Sequence, residues 1–162
     1  TYAPANHSLR RPVEGYAGGP PWDVVIGDAY SVLPFGNAVV TRTVTGSQLW
    51  AMLEHGVDGI PDPKGWFPQI SGFRFVFDSS KAISSRVITV EKMDGTLIPR
   101  DETRYTLAIP DFIDAGGDGY DMIVGGDGVS REKMAEILMD YIRSTGTLTP
   151  VTEGRIVNQA PL

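Results

Sequence analysis

The chain has 162 residues, two histidines, no cysteine and a formal net charge of −6. This length suits one domain that buries about 70% of the surface exposed by its unfolded chain, so the fold needs neither a disulfide nor a structural metal. The lack of cysteine excludes disulfide scaffolds, cysteine-ligated zinc and thiol nucleophiles, and the negative charge argues against a nucleic-acid polymer or an anionic membrane as the partner.

The first 22 residues contain four prolines and three glycines. This density of helix- and strand-breaking residues predicts an N-terminal arm or interdomain segment over 1–22, with the domain proper over 23–162. The chain begins without an initiator methionine or a signal-peptide pattern, so we expect it to be part of a longer protein. No apolar run approaches the roughly 18–20 residues of a membrane span, and membrane insertion is not expected.

The first half of the domain predicts two helices around one strand. Residues 27–33 can form a short helix that Pro34 ends. The β-branched segment 39–44 predicts a strand. A second helix opens at Thr45 and ends at Gly56 or Gly59. Its apolar face is formed by residues at helical spacing: Leu49, Met52, Leu53 and Val57.

Strands dominate the next stretch. Residues 73–77 alternate so that their three phenylalanines share one face. A further strand is predicted over 86–93, followed by a hairpin turn at Asp94-Gly95 that leads into 96–98. Residues 104–109 form another predicted strand.

The last part combines a glycine-rich loop over 111–128 with the best helical pattern in the chain. Ser130 is the predicted N-cap and Gly146 the predicted end. The apolar face of this helix consists of Met134, Ile137, Leu138, Tyr141 and Ile142. A short strand is predicted over 155–157. Because strands and helices mix without regular alternation, the fold class is α+β, a single domain in which several helices pack on a mixed β-sheet.

The glycine-rich loop contains a nine-residue echo. Residues 116–124 fit the calcium-binding β-roll repeat Gly-Gly-x-Gly-x-Asp-x-aliphatic-x, and 125–128 restart it. A roll needs at least three stacked repeats, and the second unit has Ser130 where Asp is required and Lys133 where an aliphatic residue is required. Two glycine-rich turns are therefore the favoured interpretation, and a non-catalytic calcium-binding surface module is the alternative.

Two aromatic residues stand at the ends of predicted elements, where they need not belong to the core. Phe35 follows the first helix and Phe112 follows the strand over 104–109. A ring on each side of a slot could sandwich a flat heteroaromatic group, since base–aromatic stacking is worth about 1–3 kcal/mol per base. Asp118 on its glycine turn could accept hydrogen bonds from vicinal ribose hydroxyls, and the amide of Asn37 could pair with a base edge.

Each of these features also has an ordinary structural interpretation. Phenylalanine is usually core, and Gly-Gly-Asp-Gly is usually a turn. Arg10 and Arg11 are adjacent on the arm, where arginine suits phosphate through its bidentate fork, although such a pair is usually a solvated surface feature.

Five stretches together resemble one known family and occur in its order. They are Gly27–Asn37, Thr45–Leu49 with Leu53–Gly56, Phe67–Gly72, Tyr105–Gly119 and Glu153–Ile156. On these residues the chain resembles the C-terminal, substrate-recognition domain of the 5'-nucleotidase family, which includes bacterial periplasmic UDP-sugar hydrolases and animal ecto-5'-nucleotidases.

The resemblance implies a division of labour between two domains. An N-terminal metallophosphoesterase domain holds two divalent metal ions and performs the hydrolysis, while the C-terminal domain binds the nucleoside and rotates to deliver the phosphate. By position, Phe35 and Phe112 are similar to the rings that stack the base, and Asn37 to a base-contacting residue. Asp118 is similar to the carboxylate that holds the ribose hydroxyls, on a turn shaped by Gly116–Gly117.

The chain departs from the family in the arm. The family usually has Asn-Gly-Gly-Gly-Ile-Arg there, whereas this chain has Asn6-His-Ser-Leu-Arg10-Arg11. The resemblance implies that Asn6 contacts the base or nearby backbone and that either Arg10 or Arg11 contacts phosphate. The altered arm leaves the substrate open between a 5'-mononucleotide and a cyclic nucleotide, a UDP-sugar, NAD or the protein-bound thiosulfonate of the sulfur-oxidising branch.

Two histidines are too few for a dimetal centre. His55 lies in the Leu-Glu-His-Gly context of the second helix, where we expect a structural role, and His7 lies in the altered arm. We therefore expect no catalytic residue, metal site or cofactor in this chain, and no turnover by it alone. The expected partners are a nucleotide or nucleoside and the protein's own N-terminal catalytic domain, in an extracellular, periplasmic or cell-surface location.

Overall fold

A computed structural model of the chain describes residues 23–62 and 64–160. The arm over 1–22 lies outside the described residues, and with it Asn6, His7, Arg10 and Arg11. Their roles, and the boundary at residue 22, stay predictions.

The described part of the chain contains four helices and six strands. In chain order they are α1 (Ile26–Val32), β1 (Ala38–Thr45), α2 (Gly46–Gly56), β2 (Phe73–Phe77), β3 (Val87–Lys92), β4 (Arg104–Pro110), α3 (Asp111–Asp114), β5 (Val129–Lys133), α4 (Met134–Thr145) and β6 (Ile156–Asn158). Two 3₁₀ turns, Gly117–Gly119 and Asp121–Ile123, lie between α3 and β5. None of the helices described has the length and apolar character required to span a membrane.

The strands form two three-stranded sheets. In the first, β1 lies between β4 and β5 and is antiparallel to both. In the second, β2 lies between β3 and β6, antiparallel to the former and parallel to the latter. One antiparallel sheet and one mixed sheet, with helices packed on them, confirm the predicted α+β class.

The core lies where α2 meets both sheets. Phe73, Phe75 and Phe77 alternate with more exposed neighbours along β2 and are all buried, as their spacing predicts. They pack with Leu53 of α2 and Val90 of β3 in one apolar cluster. Burying side chains of this size stabilises the fold by about 1.5–3 kcal/mol each.

Helix α2 begins where its sequence predicts. The hydroxyl of Thr45 accepts a hydrogen bond from the Gln48 N–H (3.1 Å), and the Gln48 side chain accepts one from the Thr45 N–H (2.9 Å). This reciprocal capping box satisfies backbone donors that a helix N-terminus otherwise leaves without partners. At the other end, the buried carboxylate of Glu54 accepts from the backbone N–H groups of Arg86 and Val87, which ties α2 to β3.

The predicted start of the last helix is wrong. Ser130 does not cap α4, because it lies within β5 and the N-cap is Lys133. The side chains of β5 are all exposed, so the strand has no apolar alternation and is held by backbone pairing with β1. The hairpin turn at Asp94-Gly95 is confirmed, and residues 96–98 pair with β3 through a bridge between Glu91 and Leu97 and through two backbone hydrogen bonds, although they form no longer strand.

The other predicted helices and strands are confirmed, including the end of α4 at Gly146, whereas α3 and the two 3₁₀ turns lie within 111–128, which was predicted as a loop. The predicted apolar face of α4 is only partly covered within the described structure, because Ile137 and Tyr141 are exposed there.

Candidate functional site

The pairing of β1 with β4 brings the two predicted stacking rings to one end of a sheet. At this end Val39 pairs with Pro110. Phe35 precedes Val39 by four residues and Phe112 follows Pro110 by two, so both leave the same end of an antiparallel ladder. Residues that are far apart in the chain are therefore brought to the same end of the sheet by strand register.

An aspartate that the sequence analysis did not single out joins the two ring-bearing segments. One carboxylate oxygen of Asp111 accepts a hydrogen bond from the Ala38 N–H (3.1 Å), and the other accepts from the Phe112 N–H (2.8 Å). Asp111 thus connects the start of β1 to the start of α3. The available signal was local: an aspartate in the first turn of a helix commonly accepts from backbone N–H groups.

Four predicted binding residues line one cleft of about 750 Å³: Phe35, Asn37, Phe112 and Asp118. Phe35 is 65% exposed and Phe112 is 49% exposed, so neither ring belongs to the core. The cleft walls are mainly apolar, with Gln69 and Ser71 adding polar groups. Its volume and its mixture of apolar walls with a few polar groups are typical of a small-molecule site.

Backbone contacts fix the position of Asn37. Its carbonyl oxygen accepts a hydrogen bond from the N–H of Met134, the first residue of α4. Both residues line the cleft. The side chain of Asn37 is therefore presented from a segment held between β1 and α4.

The predicted glycine turn shapes the cleft without lining it. Gly117 passes so close to Phe112 that an added Cβ would lie 2.5 Å from two ring carbons and from the carbonyl oxygen of that residue. Gly116 has a φ of 86°, and a Cβ there would lie 2.8 Å from a methyl group of Val124. Glycine at 117 is thus what allows the Phe112 ring to pack on the turn.

Asp118 itself has an unusual backbone conformation. Its φ of 54° and ψ of 24° are left-handed, a conformation that costs a residue with a side chain about 1–2 kcal/mol. The surrounding structure must offset this cost. One such contact is a hydrogen bond of 2.7 Å between the carbonyl oxygen of Asp118 and Nε2 of His55.

His55 belongs to a small polar and aromatic cluster below this turn. Its Nδ1 lies 3.1 Å from one carboxylate oxygen of Asp58, and the other accepts a hydrogen bond from the Trp66 indole N–H (2.8 Å). The imidazole stacks on Trp66 and meets Tyr120 edge-on. The sequence analysis expected a structural role for His55 but could not identify these partners.

Tyr120 is the most deeply buried residue of this cluster. It is 5% exposed, and its hydroxyl donates a hydrogen bond of 2.7 Å to the Trp66 carbonyl oxygen. Burial raises the pKa of the Tyr120 phenol above its usual value, and the nearby carboxylates of Asp118 and Asp58 raise it further. The phenol therefore stays protonated and acts as a donor at neutral pH.

An ion pair between a buried arginine and a partly buried aspartate anchors α3. Nη1 of Arg42 on β1 donates to Asp114 of α3 at 2.6 Å, and the side chain of Arg42 is only 2% exposed. Two glycines lie directly against this pair. A Cβ on Gly126 would overlap the guanidinium of Arg42, and a Cβ on Gly128 would lie 2.7 Å from a carboxylate oxygen of Asp114. Close packing thus explains two of the three glycines in the second half of the echo, whereas Gly125 has open space around it and a φ of 84°.

The calcium interpretation of residues 116–128 gains no support from this geometry. Residues 117–119 and 121–123 form 3₁₀ turns instead of the strands of a roll. Within residues 23–62 and 64–160, no group of three or more His, Asp or Glu side chains is arranged to hold a metal ion.

Comparison with known proteins finds one family that matches this chain. The family model described as 5'-nucleotidase, C-terminal domain, matches residues 6–125. A snake venom 5'-nucleotidase from Crotalus adamanteus is 33% identical over 145 residues, which cover 85% of this chain and 25% of that protein. A trifunctional nucleotide phosphoesterase of Bacillus subtilis is 31% identical over 143 residues, covering 83% of this chain and 10% of that protein.

A solved structure extends the similarity to the fold. The crystal structure of a 5'-nucleotidase precursor from Thermus thermophilus superposes with a TM-score of 0.78 and 36% sequence identity. The match covers 85% of this chain and 28% of that one. The chain therefore spans only about a quarter or less of the length of these relatives.

Proposed function

The chain belongs to the 5'-nucleotidase C-terminal domain family, and from this premise we propose that it is the nucleoside-binding domain of a secreted 5'-nucleotidase-type phosphoesterase. In this proposal the base stacks between Phe35 and Phe112, and Asp118 holds the ribose hydroxyls. The observation that carries the proposal is that these three side chains line a single cleft.

The cleft has the chemistry that a nucleoside needs. Both rings are about half exposed or more, so aromatic surface is accessible to a planar base, which stacking binds with about 1–3 kcal/mol per base. A carboxylate that accepts from two vicinal hydroxyls makes charge-assisted hydrogen bonds, which are stronger than neutral ones. The amide of Asn37 supplies a donor and an acceptor for the edge of the base.

We assign catalysis to another domain and phosphate binding to the N-terminal arm. We assign hydrolysis to an N-terminal metallophosphoesterase domain that carries two divalent metal ions, as the family resemblance implies. Either Arg10 or Arg11 is proposed to contact the phosphate, and Asn6 the base or nearby backbone. On this proposal the domain binds and delivers substrate but does not turn it over alone.

We also propose an extracellular, periplasmic or cell-surface location. The support is the similarity to 5'-nucleotidases of snake venom.

The test is calorimetric titration of the 162-residue chain with adenosine and AMP. Phe35→Ala and Phe112→Ala should each weaken binding by the stacking contribution of about 1–3 kcal/mol, or roughly 5- to 150-fold in Kd. Tyr141→Ala is a matched control, because it removes an exposed aromatic side chain from α4 outside the cleft. Equal affinity of the wild type and both phenylalanine variants contradicts the proposal.

The altered arm favours a second candidate within the same family. The segment proposed to contact the phosphate lacks the glycines that the family usually has there, and one relative is named as trifunctional. A cyclic nucleotide, a UDP-sugar, NAD or a thiosulfonate would then replace the 5'-mononucleotide. Assays of the full-length protein across these substrates distinguish the candidates, and a clear preference for 5'-mononucleotides removes the second one.

A further inference from the structure

We propose that His55 is a positioning residue for ribose recognition. By holding the backbone of Asp118 in its left-handed conformation, His55 would set the preference of the cleft for a ribose over a sugar without vicinal hydroxyls. This inference rests on the proposed function, because it concerns the carboxylate assigned there to the ribose.

The direct link is between His55 and the main chain of the turn. Nε2 lies 2.7 Å from the carbonyl oxygen of Asp118, within ideal hydrogen-bond distance. A carbonyl oxygen only accepts, so the imidazole donates from Nε2. The bond restrains a residue whose φ of 54° is unfavourable for an aspartate, and it therefore bears on where the Asp118 side chain points.

The neighbouring glycine shows that the turn is built around this ring. A Cβ on Gly119 would lie 3.1 Å from both Cε1 and Nε2 of His55. Gly119 also has a φ of 83°, which disfavours a residue with a side chain. The absence of a side chain at 119 lets the imidazole reach the backbone of the turn.

The ring is itself held by independent contacts. One oxygen of Asp58 lies 3.1 Å from Nδ1, a contact that is a hydrogen bond only when Nδ1 carries a proton as well as Nε2, and its other oxygen accepts from the indole of Trp66. The imidazole stacks on Trp66 with a centroid distance of 5.7 Å and an interplanar angle of 10°, and it meets Tyr120 edge-on at 4.9 Å. Trp66 and Tyr120 both line the cleft, so the same contacts connect its wall to the turn that carries Asp118.

The backbone of His55 is also fixed by the helix that carries it. It lies in the last turn of α2, where its neighbours Glu54 and Gly56 are buried. The aspartate it contacts is 63 residues further along the chain. A fixed helix end therefore supports a loop whose conformation is otherwise unfavourable, which is how precise sites are usually held.

The test compares two amide substitutions. The side-chain nitrogen of Gln occupies a position close to Nε2 of histidine, whereas that of Asn is close to Nδ1. His55→Gln can still donate to Asp118, and His55→Asn cannot. For each variant of the 162-residue chain, the Kd is measured for adenosine and for 2',3'-dideoxyadenosine, and their ratio gives the ribose preference.

We expect the wild type to prefer adenosine by about tenfold or more, and Asp118→Ala to abolish this preference. His55→Asn should lower the preference by about fivefold or more while the Kd for dideoxyadenosine changes by less than about twofold. His55→Gln should keep most of the preference. The dideoxynucleoside reports whether the stacking part of the cleft is intact in each variant.

Every other result has a defined meaning. If His55→Asn keeps the wild-type preference, matches His55→Gln, or weakens both ligands equally through a loss of structure, the positioning role is overturned and His55 is only structural. If the wild type shows no preference for adenosine, or Asp118→Ala leaves the preference unchanged, the proposed ribose contact fails first. The two failures are thus distinguishable.

Discussion

Removing the carboxylate of Asp114 should destabilise the domain strongly. The substitution Asp114→Ala leaves the guanidinium of Arg42, which is 2% exposed, without its ion-pair partner. Nε of Arg42 already has no hydrogen-bond partner among the described residues. A buried charge that loses its partner has little access to water as a replacement.

The size of the effect follows from this burial. Breaking a buried ion pair from one side typically costs about 3–5 kcal/mol, a large share of the roughly 5–15 kcal/mol that keeps a domain folded. Removing both charges avoids the orphaned cation, so the double variant Arg42→Met/Asp114→Ala should recover at least about 2 kcal/mol relative to Asp114→Ala.

Urea unfolding of the 162-residue chain measures these differences. The exposed ion pair between Arg143 and Asp140 is a matched control. Its nitrogen–oxygen distance is 2.8 Å, similar to that of the pair between Arg42 and Asp114, but its side chains are 62% and 76% exposed. Asp140→Ala should cost between 0 and about 1 kcal/mol. If Asp114→Ala costs no more than Asp140→Ala, the pair is not buried in solution and the reasoning is refuted.

The same variant has a functional readout, because Asp114 and Phe112 share the short helix α3. Loss of the anchor should weaken nucleoside binding by Asp114→Ala under conditions where the variant is still folded. The double variant also lacks this anchor and should bind weakly although it is more stable. Tight binding by both would separate the ion pair from the cleft.

Three further results are expected. Gly117→Ala should weaken nucleoside binding about as much as Phe112→Ala, because its Cβ at 2.5 Å forces the Phe112 ring away, whereas Gly27→Ala, which meets nothing within 4 Å, should bind normally in the same titration. Because the pKa of Tyr120 is raised in the folded state, the unfolded chain loses this proton at a lower pH than the folded chain does. The contribution of Tyr120 to the free energy of unfolding is therefore constant below about pH 10 and falls above it by at most about 1.4 kcal/mol per pH unit. Thermal melts of Tyr120→Phe should lack this pH dependence. Calcium or a chelator should leave the melting temperature unchanged, and a calcium-dependent increase would revive the metal-binding interpretation of residues 116–128.

Local signals accounted for most of the elements. The capping box at Thr45 and the apolar spacing of α2 lie within a dozen residues, so sequence alone locates that helix. The alternation of Phe73, Phe75 and Phe77 likewise identifies β2 and its buried face. Strand β5 could not be found in this way, because its five exposed residues carry no apolar period and depend on pairing with β1.

The same distinction between local sequence signals and long-range contacts applies to the candidate site. The sequence identifies Phe35 and Phe112 by their positions at element ends and by family resemblance, and strand register brings them to one cleft. The supports of that cleft are side-chain contacts between distant positions: Arg42 with Asp114, and His55 with Asp118. No local pattern encodes such partners, because each is created only when the strands and helices pack.

The central claim is that the cleft binds a nucleoside through two rings and one carboxylate, and a crystal structure of the chain with adenosine tests it most directly. The account predicts the adenine ring between Phe35 and Phe112, with both ribose hydroxyls about 2.5–3.0 Å from the carboxylate oxygens of Asp118. Adenosine bound elsewhere, or an empty cleft at saturating adenosine, would contradict it.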